Sequence, residues 1–134
     1  DDQVAKQFSG DQKTMAIMAA RTIEAGTGKG IVATDGGKTV GIASYKKMGK
    51  DIYVRYLASS QKGVGTKLIA EDAAVAARSG KGLMLEGYAS ARGFYEKIGM
   101  KAMGDASKDK NVGYRWGAKE ARTFAEKHGI VIGE

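Results

Sequence analysis

The chain contains no cysteine, so neither a disulfide framework nor a thiol nucleophile is open to it. Its one histidine, His128, excludes a His-based metal cage, and its place in a charged C-terminal stretch argues against a Ser-His-Asp triad. No metal is expected. No apolar run approaches the length of a membrane span and no signal-peptide core is present, so the expectation is a cytoplasmic chain with no membrane partner. The formal charge is +7, yet the lysines are spread in ones and twos and no Arg-rich run with interleaved aromatics occurs. Nucleic acid is therefore not the expected partner, because a basic surface equally suits an enzyme that takes a polyanionic ligand or an acidic target. A compact cluster of acidic residues is also missing, which removes any reason to prefer a polyamine.

What is present is 134 residues with 43% hydrophobic content, enough for one domain to bury a core without covalent staples. Residues 1–10 are polar and without period, a loose lead-in. The first residue is Asp, not Met, which fits a piece processed or excised from something longer. From Gln12 to Ala25, Met15, Met18, Ala19 and Ile23 fall on one helical stripe, with Ser9 or Asp11 as the cap. Ile31–Thr34 and Thr39–Lys46 flank Asp35-Gly36-Gly37-Lys38 as a β-hairpin, and a second hairpin runs through Met48–Asp51 into Ile52–Ala58. An alanine-rich helix over Thr66–Ser79 leads to a short strand, Leu83–Glu86, parallel to the preceding one by the strand-helix-strand rule. A helix over Ser90–Ile98 follows. Two closing strands, Met100–Met103 and Val112–Trp116, bracket the polar loop Gly104–Asn111, with Tyr114 and Trp116 on one face that serves the core first and a substrate pocket second. A last helix spans Ala118–Lys127, and Ile130–Ile132 forms an apolar tail.

The stretch on which the chain turns is Leu57-Ala58-Ser59-Ser60-Gln61-Lys62-Gly63-Val64-Gly65-Thr66. The alternating Ile52, Val54 and Tyr56 read as a strand, and Leu68, Ile69, Val75 and Ala76 repeat with helical spacing. Gly63 and Gly65 thus stand at a helix N-terminus, where phosphates can approach the backbone and the amides of Lys62 to Thr66 point at them. Lys62 and Lys67 add charge that suits a diphosphate. This is not a P-loop, since Gly26-Thr27-Gly28-Lys29-Gly30 has Gly after its lysine; nor is it the GxGxxG fingerprint, since Leu68 stands at its third glycine.

Downstream lies Tyr88-Ala89-Ser90-Ala91-Arg92-Gly93-Phe94-Tyr95-Glu96-Lys97-Ile98-Gly99-Met100. Together the two stretches resemble the Gcn5-related N-acetyltransferase (GNAT) family. Gly63 and Gly65 match its loop pattern (Arg or Gln)-x-x-Gly-x-(Gly or Ala), with Ser60 at the Arg or Gln position and no proline in the approach. Ala91, Phe94, Tyr95, Glu96, Lys97 and Gly99 match its Ala-x-x-Phe-Tyr-Glu-Lys-x-Gly-Phe helix, with Met100 last. The resemblance runs from about Ile31 to Trp116; the family's usual first strand has no upstream counterpart, and residues 118–134 are a C-terminal extension of a single GNAT-like domain.

The resemblance implies an α/β (α+β) acyl-CoA N-acyltransferase fold: a mixed, mostly antiparallel central sheet flanked by helices. It implies an acetyl-CoA-dependent N-acetyltransferase, a small-molecule or peptide amine as acceptor, and direct transfer in a ternary complex. The strand ending at Leu57–Ser59 would leave backbone groups free to pair with the pantetheine arm, and the Leu57 amide would polarise the thioester carbonyl. The amides and side chains of Ser59, Lys62, Gly63, Val64, Gly65 and Thr66, with Ser90 and Arg92, would hold the carrier. Tyr95 would serve the leaving thiolate. Glu86 has two readings, a general base or a strand carboxylate bound to its neighbours. Two other functions stay open, a catalytically silent acyl-CoA-binding scaffold and a basic nucleic-acid-binding domain, as does a homodimer.

Overall fold

A computed structural model describes residues 8–88, 92–103 and 111–133 of the chain. Helix α1 (Gly10–Glu24) opens the order, followed by strands β1 (Lys29–Asp35), β2 (Lys38–Met48) and β3 (Asp51–Ser59). Helix α2 (Val64–Arg78), strand β4 (Gly82–Tyr88), the short helix α3 (Arg92–Lys97), strands β5 (Lys101–Met103) and β6 (Asn111–Trp116) and helix α4 (Ala118–Lys127) complete it. The six strands form one sheet in the order β1-β2-β3-β4-β6-β5. Among the described residues only the β3–β4 pair is parallel, as the intervening helix requires; the other pairs are antiparallel. This is the mixed, mostly antiparallel sheet flanked by helices that the sequence implies.

Two apolar clusters cover the two faces. On one, Ile52, Val54, Leu83, Leu85, Tyr114 and Trp116 of the sheet pack with Ile69, Ala70, Ala73 and Ala76 of α2 and with Ala121, Phe124 and Ala125 of α4. On the other, Ile42 and Ala58 meet Ala16, Ala19 and Ala20 of α1. The α1 stripe is thus carried by alanines, with Met15 and Ile23 at its margin; small side chains let a helix lie close on a pleated surface. Phe8 is buried in the same cluster, so the polar lead-in already contributes an apolar anchor two residues before α1. Ser9 is the N-cap residue but makes no side-chain cap bond. The tail Ile130–Ile132 forms no strand; Ile132 instead buries itself in the larger cluster.

One feature of β3 departs from its sequence pattern. Strict alternation puts Ile52, Val54 and Tyr56 on one face. In the structure, Ile52 and Val54 face α2, whereas Tyr56 packs on the α1 side. The cause is a β-bulge: Ser44 pairs with Tyr56 and Tyr45 with Val54, so Arg55 has no partner on β2 and the phase slips by one residue.

Candidate functional site

The bulge coincides with the end of a second ladder. Strands β3 and β4 pair from Asp51↔Gly82 to Val54↔Leu85, and no rung follows. Beyond it β4 stays paired on its other side, Glu86 to Gly113, Gly87 to Val112 and Tyr88 to Asn111, while β3 stays paired to β2 out to Ser59↔Gly41. The two parallel strands therefore diverge from Arg55 onward, each still held by its outer neighbour. Amides alternate sides along an extended strand. The Ser60 N–H donates to the Val40 carbonyl on β2 at 2.8 Å, so the Ser59 and Leu57 N–H groups point the opposite way, into the opening.

At the open end the chain enters α2 through Gly63, whose φ of +87° is left-handed backbone suited to glycine. The Val64 N–H donates to the Gln61 carbonyl and the Lys67 N–H to that of Gly63, leaving the Gly65 and Thr66 amides with no backbone acceptor among the described residues. The first turn carries no acid and no side-chain cap, so unpaired donors and the positive end of a four-turn helix dipole coincide. Lys62 and Lys67 are exposed on its rim. A Cβ on Gly65 would stand 3.3 Å from the Ser59 hydroxyl, so glycine keeps the turn tight against the strand end.

Glu86 is the first β4 residue past the last β3–β4 rung. Its exposed carboxylate accepts a hydrogen bond from the Tyr53 hydroxyl at 3.3 Å. Burial, then the Glu86 charge, raise the Tyr53 pKa above its ordinary value, so this phenol keeps its proton and holds the carboxylate in place. Tyr95 lies on the opposite face. It is 7% exposed, set edge-on to Phe94 and tilted against Tyr114 with both ring centroids at 5.3 Å, and Tyr114 pairs with Leu85 of the last rung. Burial pushes the Tyr95 pKa up to about 12, with a smaller contribution from Tyr114. Leu57 packs against the same cluster.

The structure thus brings Leu57, Ser59, Lys62, Gly63, Val64, Gly65 and Thr66 to one end of the sheet, with Glu86 and Tyr95 on its two faces. Ser90 and the Arg92 side chain lie outside the described residues, as does most of the loop expected over Gly104–Asn111. Two participants carried no usable sequence signal. Tyr53 sits in a strand whose pattern is dominated by its apolar neighbours, and Gln12, which reaches Ser59 across 47 positions of chain, is one polar residue among many at a helix start.

A mixed sheet split between two parallel strands, with bare helix amides at the mouth of the split, defines an acyl-CoA N-acyltransferase fold. The sequence profile described as "Acetyltransferase (GNAT) domain" matches residues 1–114: the chain belongs to the GNAT acetyltransferase family. No curated protein sequence matches it. Among solved structures, a putative GNAT-family acetyltransferase from Desulfovibrio desulfuricans is 21% identical, with a TM-score of 0.67 over 87% of this chain and 91% of that one. PaiA N-acetyltransferase from Thermoplasma acidophilum, solved with coenzyme A, is 14% identical, with a TM-score of 0.60 over 78% and 70%. A putative streptothricin acetyltransferase from Bacillus anthracis, solved with acetyl coenzyme A, is 22% identical, with a TM-score of 0.58 over 67% and 62%. At these identities the likeness establishes the shared fold. Among the described residues no helix is long and apolar enough to cross a membrane.

Proposed function

We propose that the chain is an acetyl-CoA-dependent N-acetyltransferase that passes an acetyl group to a primary amine by direct attack in a ternary complex. The observation that carries this reading is the coincidence of the Arg55 bulge, the end of the β3–β4 ladder and the open amides of Gly65 and Thr66. The opening also passes a test of fit. The Ser59 N–H donates to a carboxamide oxygen, Gln12 Oε1, at 2.8 Å, so the edge of β3 can receive an amide carbonyl of the kind that pantetheine carries. Neighbours of this fold hold coenzyme A or its acetyl ester, which favours the same carrier here.

The carrier would supply an acetyl thioester. The Gly65 and Thr66 amides, with Lys62 and Lys67, would neutralise its diphosphate. The Leu57 N–H would donate to the thioester oxygen as negative charge grows there during attack. Glu86, oriented by Tyr53, would take the amine's proton directly or through water. Tyr95 stands on the other side of the sheet for the departing sulfur. A phenol held at about 12 remains protonated, and against a thiol of ordinary acidity, near 8.5, full transfer runs uphill. Its contribution is therefore a hydrogen bond to the departing thiolate, which takes its proton from water as the product leaves. Titration calorimetry with acetyl-CoA, followed by a thiol-release assay over a panel of amines, tests the proposal. Saturable binding with turnover of at least one amine is expected. Binding without turnover would favour a silent scaffold, and salt-sensitive RNA or DNA binding without carrier affinity a nucleic-acid module.

A further inference from the structure

The opening between β3 and β4 is not bare. Its Ser59 N–H is already bonded to the Gln12 side chain, which reaches it from the first turn of α1. The geometry points to Gln12 as the residue that sets carrier affinity: its carboxamide oxygen holds the place of a pantetheine carbonyl on the Ser59 amide and must be displaced when the carrier binds.

Four facts carry this inference, which rests on the carrier reading above. The Ser60 amide is committed to Val40, so the Ser59 amide is the outward donor nearest the diphosphate turn. No β4 residue can satisfy it, because the ladder ended at Val54↔Leu85. A strand-edge donor at the opening would otherwise be left to water, and a flexible amide side chain satisfies it at small expense. Finally, Gln12 is exposed and contributes to neither apolar cluster, so its loss removes a hydrogen bond and no packing. An arriving carrier exchanges one amide acceptor for another at this position, so the net gain from that contact falls by the value of the bond already present.

The two obvious variants should move affinity in opposite directions. With Gln12→Ala the competitor is gone, and acetyl-CoA should bind about fivefold more tightly, the value of one neutral hydrogen bond. With Gln12→Glu a charged acceptor of the same length holds the amide more strongly, and binding should weaken by about fivefold or more. Calorimetry on the wild-type protein and both variants reads these shifts, and thermal melts should differ little. Hydrogen exchange gives a readout that needs no carrier: the Ser59 amide should exchange faster in free Gln12→Ala than in the free wild type, and equally slowly in both once acetyl-CoA is bound. Equal affinities, weaker binding by Gln12→Ala, or unchanged Ser59 exchange would overturn the inference while leaving the carrier reading intact. No binding by any of the three proteins would instead remove the carrier reading, and this inference with it.

Discussion

The two ends of the β3–β4 pair are built on opposite terms. At the closed end, Arg115 of β6 grips Asp51 of β3 with two hydrogen bonds, at 2.8 and 3.2 Å, across Gly82 of β4. A Cβ at Gly82 would stand 2.6 Å from Asp51 Oδ1, 2.7 Å from the Trp116 carbonyl and 2.8 Å from Arg115 Nη2. Three strands are pinned there with no room to spare. At the open end, past Val54 and Leu85, the same strands have shed their mutual hydrogen bonds, and the Leu57 and Ser59 amides of β3 point into the gap. Tight packing at one end is what allows the other to stay apart: each splayed strand keeps its outer partner, and the core under Val54 and Leu85 fixes the point of divergence.

Substitutions can break each side of this contrast separately. The largest effect is expected at the closed end, where Gly82→Ala must push apart the Asp51–Arg115 pair and should cost about 3 kcal/mol of stability, read by urea denaturation. An unchanged midpoint would show that the closed end yields easily. At the open end, Gly65→Asp places a carboxylate among the amides that face the proposed diphosphate. It should weaken acetyl-CoA binding by about 30-fold or more with less loss of stability than Gly82→Ala, as calorimetry and melts together would show. Tyr95→Phe should lower kcat at least about tenfold and leave acetyl-CoA affinity within about twofold, the pattern of an interaction made in the transition state. An unchanged kcat would take Tyr95 out of the chemistry and return it to the core that its burial already suggests.

The smallest effect sharpens the comparison from below. Asp72 of α2 is wholly buried on the core face, and both its carboxylate oxygens lack a hydrogen-bond partner among the described residues. Burial, helped by Glu71, raises its pKa well above the usual carboxylate value, so the folded protein keeps it protonated where the unfolded chain has released the proton. Its contribution to stability is therefore complete below the unfolded pKa of about 4 and is lost as pH rises towards the folded value. Asp72→Asn should flatten that decline above about pH 4 relative to the wild type in paired urea melts. Parallel slopes for the two proteins would show that the carboxyl has found a partner in solution.

The sheet and its helices were legible because the signals are local. The Asp-Gly-Gly turn, the alanine-rich run after Gly65 and the apolar alternation at Ile52 and Val54 each act over a few residues, and the structure places elements there with ends shifted by one to three positions. The site was legible only as far as its backbone: Gly63 and Gly65 announce a tight turn at a helix start, and the matched Phe-Tyr-Glu-Lys helix announces a relative. Arg55 gives no such sign. A bulge is a property of two strands in register, so the face on which Tyr56 sits depends on Ser44 and Tyr45 as much as on its own neighbours.

By itself, then, the order of residues determined which segments are helix or strand, the parallel crossing of α2, and the glycine turn at a helix start, because hydrogen bonding and side-chain period within a segment are enough to set these. Tertiary structure alone decided where β3 and β4 part, that Tyr53 holds Glu86, that Tyr95 is buried and weakly acidic, and that Gln12 sits on the Ser59 amide. Each depends on groups far apart along the chain, and desolvation and register exist only once those groups have been brought together.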